Sequence, residues 1–112
     1  MLAEAENEIS GATTAVYDYV NQVRTRAGMP ALPVGLSKEQ MRARIRHERR
    51  VELAFEGERY FDLKRWKIAE QVINGITDGI VRRKFEHKHY LWPLPQSEID
   101  KNKGVLVQNP NY

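Results

Sequence analysis

Glu48 and Glu52 stand four residues apart, on a stretch whose other inward-facing positions are Met41, Ile45 and Phe55. Two carboxylates one helical turn apart on an apolar face could form a general acid–base pair or hold a metal ion. No Glu-x-x-His motif accompanies them, because His47 directly precedes Glu48 and faces elsewhere. The competing reading is structural. Like charges at this spacing repel, and burying them unpaired costs several kcal/mol, so each needs a cation. Arg59, Lys64 and Arg65 lie beyond a break at Gly57, and Arg49 is local. Glu48, Glu52, Arg49, Arg59 and Arg65 are therefore expected to form a structural ion-pair network, with no catalytic residue, metal ligand or cofactor among them.

Around these acids, Arg42 to Arg50 contains five arginines in nine residues. Taken alone, that run suggests a helix lying along phosphates, the mark of a small basic nucleic-acid-binding module. The alternative is a solvated face whose arginines pair with acids such as Glu39 and Glu56 and whose stems cover apolar surface. A DNA reader also needs a second short helix set by a tight turn, whereas the preceding loop is long and carries prolines. Aromatic residues offer a third chemistry. Tyr60, Tyr90 and Trp92 are the rings most open to stacking on a sugar. Phe61, Trp66 and Ile73 fall near one helical face and read as core, with Trp66 an anchor. Trp92, between Leu91 and Pro93, equally reads as an anchor pinning the tail. His87 and His89 alternate with Lys88 and lack a third ligand for zinc. No glycine-rich phosphate loop, nucleophile elbow or HExxH motif occurs.

The elements that must position these residues are helical. The first pattern covers about 1–10, with Leu2, Ala5 and Ile9 on one face; it is short and uncapped, like the end of a longer helix. The second covers 13–27, with Val16, Val20, Val23 and Ala27 inward, Arg24 and Arg26 in its last turn, and Gly28 and Pro30 beyond it. The third covers about 38–56. Ser37 opens it, Gln40 sits at the reciprocal capping-box position, and Leu36 can staple against Met41. A fourth covers 59–73. Helices two to four are expected to form packed antiparallel pairs. An irregular proline-rich tail, 76–112, follows, with a short extended piece near Ile80–Phe85 and one turn capped by Ser97.

The chain has 112 residues and no cysteine, which removes disulfides, thiol nucleophiles and acylated cysteine anchors from its own chemistry. Its net charge of +3 is unevenly spread: residues 1–30 carry −2, 38–67 carry +4 and the remainder +1. Any nucleic-acid surface must therefore lie in the middle third. No apolar run approaches the ~20 residues a membrane helix needs, and the acidic start lacks the basic and apolar regions of a secretion signal. The length suits one domain over 1–112.

The segment Ile45–Trp66, reading IRHERRVELAFEGERYFDLKRW, closely resembles the hallmark of the SusD/RagB family. Ala3–Glu8, the helix Tyr17–Gly28, the His89–Asp100 stretch with its LWPLP, and the closing Gln108–Tyr112 resemble further pieces of that family, in order along nearly the whole chain. The resemblance implies a mainly α fold of tetratricopeptide-like helix pairs, forming the C-terminal part of a longer protein. It also implies a surface-exposed outer-membrane lipoprotein that binds nutrient glycan and hands it to a TonB-dependent, SusC-like transporter. The membrane attachment would be an upstream lipid anchor. On this reading Glu48, Glu52, Arg49, Arg65 and Trp66 sit at scaffold positions. The chain would be nonenzymatic, without nucleic acid as a partner, and able to self-associate through an exposed apolar face.

Overall fold

Valines and aliphatic residues four apart on two helices build the first core. The structure, a computed structural model, describes residues 1–102 and 104–112, and the chain divides into two units, Met1–Gly57 and Glu58–Tyr112. In the first unit α1 (Leu2–Ser10) packs on both α2 (Thr14–Arg26) and α3 (Lys38–Glu52). Val16 and Val20 of α2 meet Met41 and Ile45 of α3, with Leu32 of the connector among them; all five are buried. Each such side chain contributes about 1.5–3 kcal/mol through removal from water.

The antiparallel partner of both α2 and α3 is α1. Its last turn bonds to the first turns of α3, through Asn7 Nδ2 to the Lys38 carbonyl at 3.1 Å and Glu8 to Arg42. α2 and α3 run in the same direction, contrary to the antiparallel arrangement expected for them. The connector explains it by doubling back along α2. Arg24 Nε donates to the Pro30 carbonyl at 2.7 Å, the Leu32 N–H to Asn21 Oδ1 at 2.9 Å, and the Leu36 N–H to the Tyr17 hydroxyl at 2.8 Å. At Ser37 the chain has returned to the level at which α2 began.

Local signals set most helix ends. α2 closes with the Met29 N–H on the Arg24 carbonyl and the Gly28 N–H on the Thr25 carbonyl, around Gly28 at φ +69°. That paired closure needs a left-handed residue, which glycine supplies without strain. α3 opens with a full capping box: the Gln40 N–H donates to Ser37 Oγ at 3.2 Å and the Ser37 N–H to Gln40 Oε1 at 2.9 Å. It ends at Glu52, three to four residues before the expected boundary. Phe55 adopts φ +68° there and its ring stands fully exposed, off the inward stripe. α1 also departs from expectation. Its buried residues are Glu4 and Asn7, while Leu2 and Ile9 are exposed, because polar bonds to α3 outcompete the apolar face.

The second unit begins with α4 (Glu58–Arg65) and α5 (Ala69–Ile73), which replace the single helix expected over 59–73. Lys67 sits at φ +57°, with the Ile68 N–H on the Leu63 carbonyl and the Lys67 N–H on the Lys64 carbonyl. This is the same closure as at Gly28, here with a lysine in the strained position. A two-stranded hairpin follows, β1 (Thr77–Asp78) pairing with β2 (Val81–Arg82), then a 3₁₀ turn His87–Tyr90 and α6 (Gln96–Lys101). α6 starts one residue before Ser97, with Pro95 at its N-cap. Leu63, Ala69 and Phe85 form the core of this unit, with Ile68, Val72, Ile73 and Tyr90 packed around them.

Two carboxamides stand in for missing strands. Asn74 Oδ1 accepts from the Phe85 N–H at 2.6 Å while its Nδ2 donates to the Phe85 carbonyl at 2.9 Å. Gln108 treats Leu94 the same way, at 2.8 and 2.9 Å. Asn109 Nδ2 adds a bond to the Trp92 carbonyl at 2.6 Å, and the Tyr112 hydroxyl one to the Leu91 carbonyl at 3.1 Å. Prolines at 93 and 95 cannot donate to a ladder, so side-chain amides fix the tail instead.

Candidate functional site

Beyond the apolar part of the α2–α3 seam, the next positions along each stripe are charged. Arg24 follows Val20 by four, Glu48 follows Ile45 by three, and the Arg24 guanidinium donates to Glu48 Oε1. One step further out Arg26 donates to Glu52 Oε1. The cations that meet the two acids thus come from the last turn of α2, where the sequence suggested only compensation of the helix dipole. The connector's return along α2, invisible in residue types, is what makes them neighbours.

Arg59 and Arg65 also have contacts within their own unit. Arg65 Nη2 bonds to Asp62 Oδ1 at 3.0 Å on its own helix, and Asp62 is buried. Arg59 and Arg65 both lie over the Trp66 ring, at 5.9 and 5.3 Å from its centroid. Trp66 is half-buried beneath these guanidinium groups. Lys64 stands on the same helix as Arg59 and Arg65. Its Nζ is buried, and among the described residues it has no hydrogen-bond acceptor. Arg49 lines a hollow of about 370 Å³ together with Leu2, Val23, Ile45, Glu48 and Glu52. The hollow is therefore apolar with a charged side, and its two acids are already engaged by guanidinium groups.

Within the arginine run, Arg42 is bidentate to Glu8, with both bonds at 2.6 Å. That contact holds the Glu8 carboxyl below the usual glutamate range and raises Arg42 in turn. Part of the basic run is thus spent inside the first unit.

The aromatic candidates separate. Tyr90 is half-buried, edge-on to Phe85 with centroids 4.9 Å apart, and its hydroxyl accepts from the Glu70 N–H at 3.3 Å. Tyr60 and Trp92 lie side by side with centroids 6.2 Å apart, and Trp92 is 63% exposed. The tail is thus pinned by Gln108, Asn109 and Tyr112, and the Trp92 ring itself stays largely in solvent. Lys64 Nζ lies 4.5 Å from the Trp92 centroid and 5.4 Å from that of Tyr60. His89 Nδ1 accepts from the Glu86 N–H at 2.9 Å, closing the 3₁₀ turn. Among the described residues no group of three or more histidine, aspartate or glutamate side chains could hold a metal ion, and no helix is long and apolar enough to cross a membrane.

Comparison with known proteins gives a consistent set. The sequence model of the SusD family matches residues 1–112. SusD-like protein P2 of Formosa agariphila is 36% identical over 120 residues, covering 98% of this chain and 23% of the relative. Among solved structures, a SusD-like protein from Bacteroides fragilis superposes with a TM-score of 0.83 at 33% identity, covering 98% of this chain and 23% of that one. Surface glycan-binding protein A from Bacteroides thetaiotaomicron gives 0.72 at 33% identity, with 98% and 22% covered. The chain therefore spans less than a quarter of the length of these relatives. The mainly helical architecture of helix pairs with an irregular tail is shared with those structures.

Proposed function

The chain belongs to the SusD family, and on that premise we propose that it is the nonenzymatic scaffold portion of a cell-surface glycan-binding protein. Its 112 residues act as one C-terminal part of that protein, both units included. The parent sits at the outer membrane through a lipid anchor upstream of this region and works with a TonB-dependent, SusC-like transporter, passing captured glycan to it. The similarity to a protein described as surface glycan-binding supports the ligand class.

The observation that carries the scaffold reading is the engagement of both seam carboxylates by α2 guanidinium groups. A glycosidase needs two carboxyl groups facing one substrate, one to give a proton and one to attack or activate water. Here Glu48 and Glu52 each serve a cation, and together they lock the charged end of α3 to α2. Their role is to brace the helices, and Arg65 with Asp62 does the same within α4.

The test is a calorimetric titration of the parent protein with a panel of oligosaccharides, run beside a reducing-end assay. Binding without new reducing ends is expected, as is recovery of the transporter with the parent from detergent-solubilised outer membranes. New reducing ends that vanish in Glu48→Gln would overturn the nonenzymatic reading. Absence of binding to every glycan would overturn the ligand class.

A further inference from the structure

Lys64 is the one cation among the described residues whose terminal nitrogen is buried without a hydrogen-bond acceptor. An ammonium removed from water costs free energy unless something negative or polar meets it. Among the described residues only ring faces do so: Nζ lies 4.5 Å from the centroid of Trp92 and 5.4 Å from that of Tyr60, and no carboxylate among them is close enough to favour its charge. Burial first, and the Lys67 ammonium second, push its pKa down. Cation–π attraction offsets part of the cost without supplying an acceptor.

The surroundings are open and fixed at the same time. Tyr60 and Lys64 are one turn apart on α4, so they share a face. Trp92 comes from the tail, where Asn109 holds its carbonyl and Gln108 holds Leu94 on both sides. The backbone is thereby set while the indole ring is 63% exposed. An exposed ring changes rotamer in picoseconds to nanoseconds, so it can move aside and uncover the nitrogen. A cation behind an aromatic face also makes that face a poorer partner for the electropositive C–H groups of a neutral sugar. An anionic ring substituent gains from the same charge.

We propose that Tyr60, Lys64 and Trp92 form a contact site for an acidic sugar residue, whose carboxylate or sulfate group meets the Lys64 ammonium while the pyranose ring lies against Trp92. This rests on the glycan-binding reading and narrows it to charged glycans at this position. The three residues come from one unit, so the site does not depend on any arrangement of the two.

The chain is titrated with three probes, an oligogalacturonate, a sulfated galactan oligosaccharide and maltoheptaose, following tryptophan fluorescence and heat. One or both acidic probes are expected to bind at least about ten-fold more tightly than maltoheptaose, the discrimination a charge-assisted hydrogen bond gives. Which of them binds identifies the anion as carboxylate or sulfate. Lys64→Met keeps the stem and removes the charge. It is expected to erase that preference and its salt dependence with the circular dichroism spectrum unchanged, and Trp92→Ala is expected to weaken all binding. Equal affinity for acidic and neutral probes, unaffected by Lys64→Met, overturns the site and leaves the glycan reading standing. If no probe binds the chain, the site is also overturned, and a parent protein that still binds glycans separates this failure from that of the broader reading.

Discussion

Arg24 and Glu48 extend the α2–α3 seam past its apolar part: their side chains are 12% and 18% exposed, so the pair is largely withdrawn from water. Arg26 and Glu52, formally the same contact one step outward, are 67% and 37% exposed. Arg24 also reaches the Pro30 carbonyl, so one guanidinium ties helix, partner helix and connector together.

The two pairs should therefore contribute unequally. Arg24→Met strands a largely enclosed carboxylate and is expected to cost on the order of 2–3 kcal/mol, between the exposed and fully buried cases. Arg26→Met should cost about 1 kcal/mol or less. Urea denaturation of both variants, with Glu48→Gln to close a double-mutant cycle, measures this. Equal losses would mean that Arg24 holds nothing that Arg26 does not.

Acid should loosen the α1–α3 contact. Glu8 titrates below its ordinary value of 4.5 in the fold, chiefly because Arg42 bonds to it. Between the folded and unfolded values the unfolded chain holds more protons, so stability falls with falling pH there. The contribution is complete above about 4.5 and is lost as pH drops through the folded value. Thermal melts from pH 7 to 3 are expected to show a shallower decline for Glu8→Gln than for the unaltered chain. Parallel curves would remove Glu8 from the account.

What could be read from residue types alone was what local geometry dictates. Ser37 with Gln40 and Gly28 with Pro30 announce helix ends through bonds within a few residues, and both are where the spacing put them. Lys67 does not announce itself, because nothing in a lysine suggests φ +57°, so α4 and α5 read as one helix. The buried face of α1 was inverted for a different reason: Asn7 is buried to reach a carbonyl 31 residues away, a demand hydrophobic periodicity cannot register. The acids of the seam were legible, and their need for cations with them. The identity of those cations depended on a connector folding back along α2, which apolar spacing does not encode.

The tail should come loose from a single amide. Gln108→Ala removes both bonds to Leu94 and is expected to cost about 1–2 kcal/mol in the second unit, each bond contributing roughly 1 kcal/mol net. Hydrogen exchange at the Leu94 N–H should accelerate at least as much as at any other tail amide. Unchanged protection there would show that the prolines and the Asn109 and Tyr112 bonds fix the segment without Gln108.

Phe55 combines a left-handed backbone with a fully exposed ring, two unfavourable features at one position. Phe55→Gly should relieve the backbone and raise stability by about 0.5–1 kcal/mol. It should also reduce self-association, which exposed Leu2, Ile9 and Val51 otherwise favour. Sedimentation over a wide concentration range decides the second point, and a sharply monomeric unaltered chain would refute it.

Asn74 is followed by Gly75, the dipeptide whose side-chain amide is most readily attacked by the next backbone nitrogen, with loss of ammonia, to give a cyclic imide that water opens to aspartate or isoaspartate. In the folded chain that amide is clamped on both sides by Phe85, which restrains its rotation toward the Gly75 nitrogen. Deamidation at this position is therefore expected to run more slowly while the second unit is closed than while it is open. Once it has run, a carboxylate faces the Phe85 carbonyl in place of a donor, and the unit closes less well.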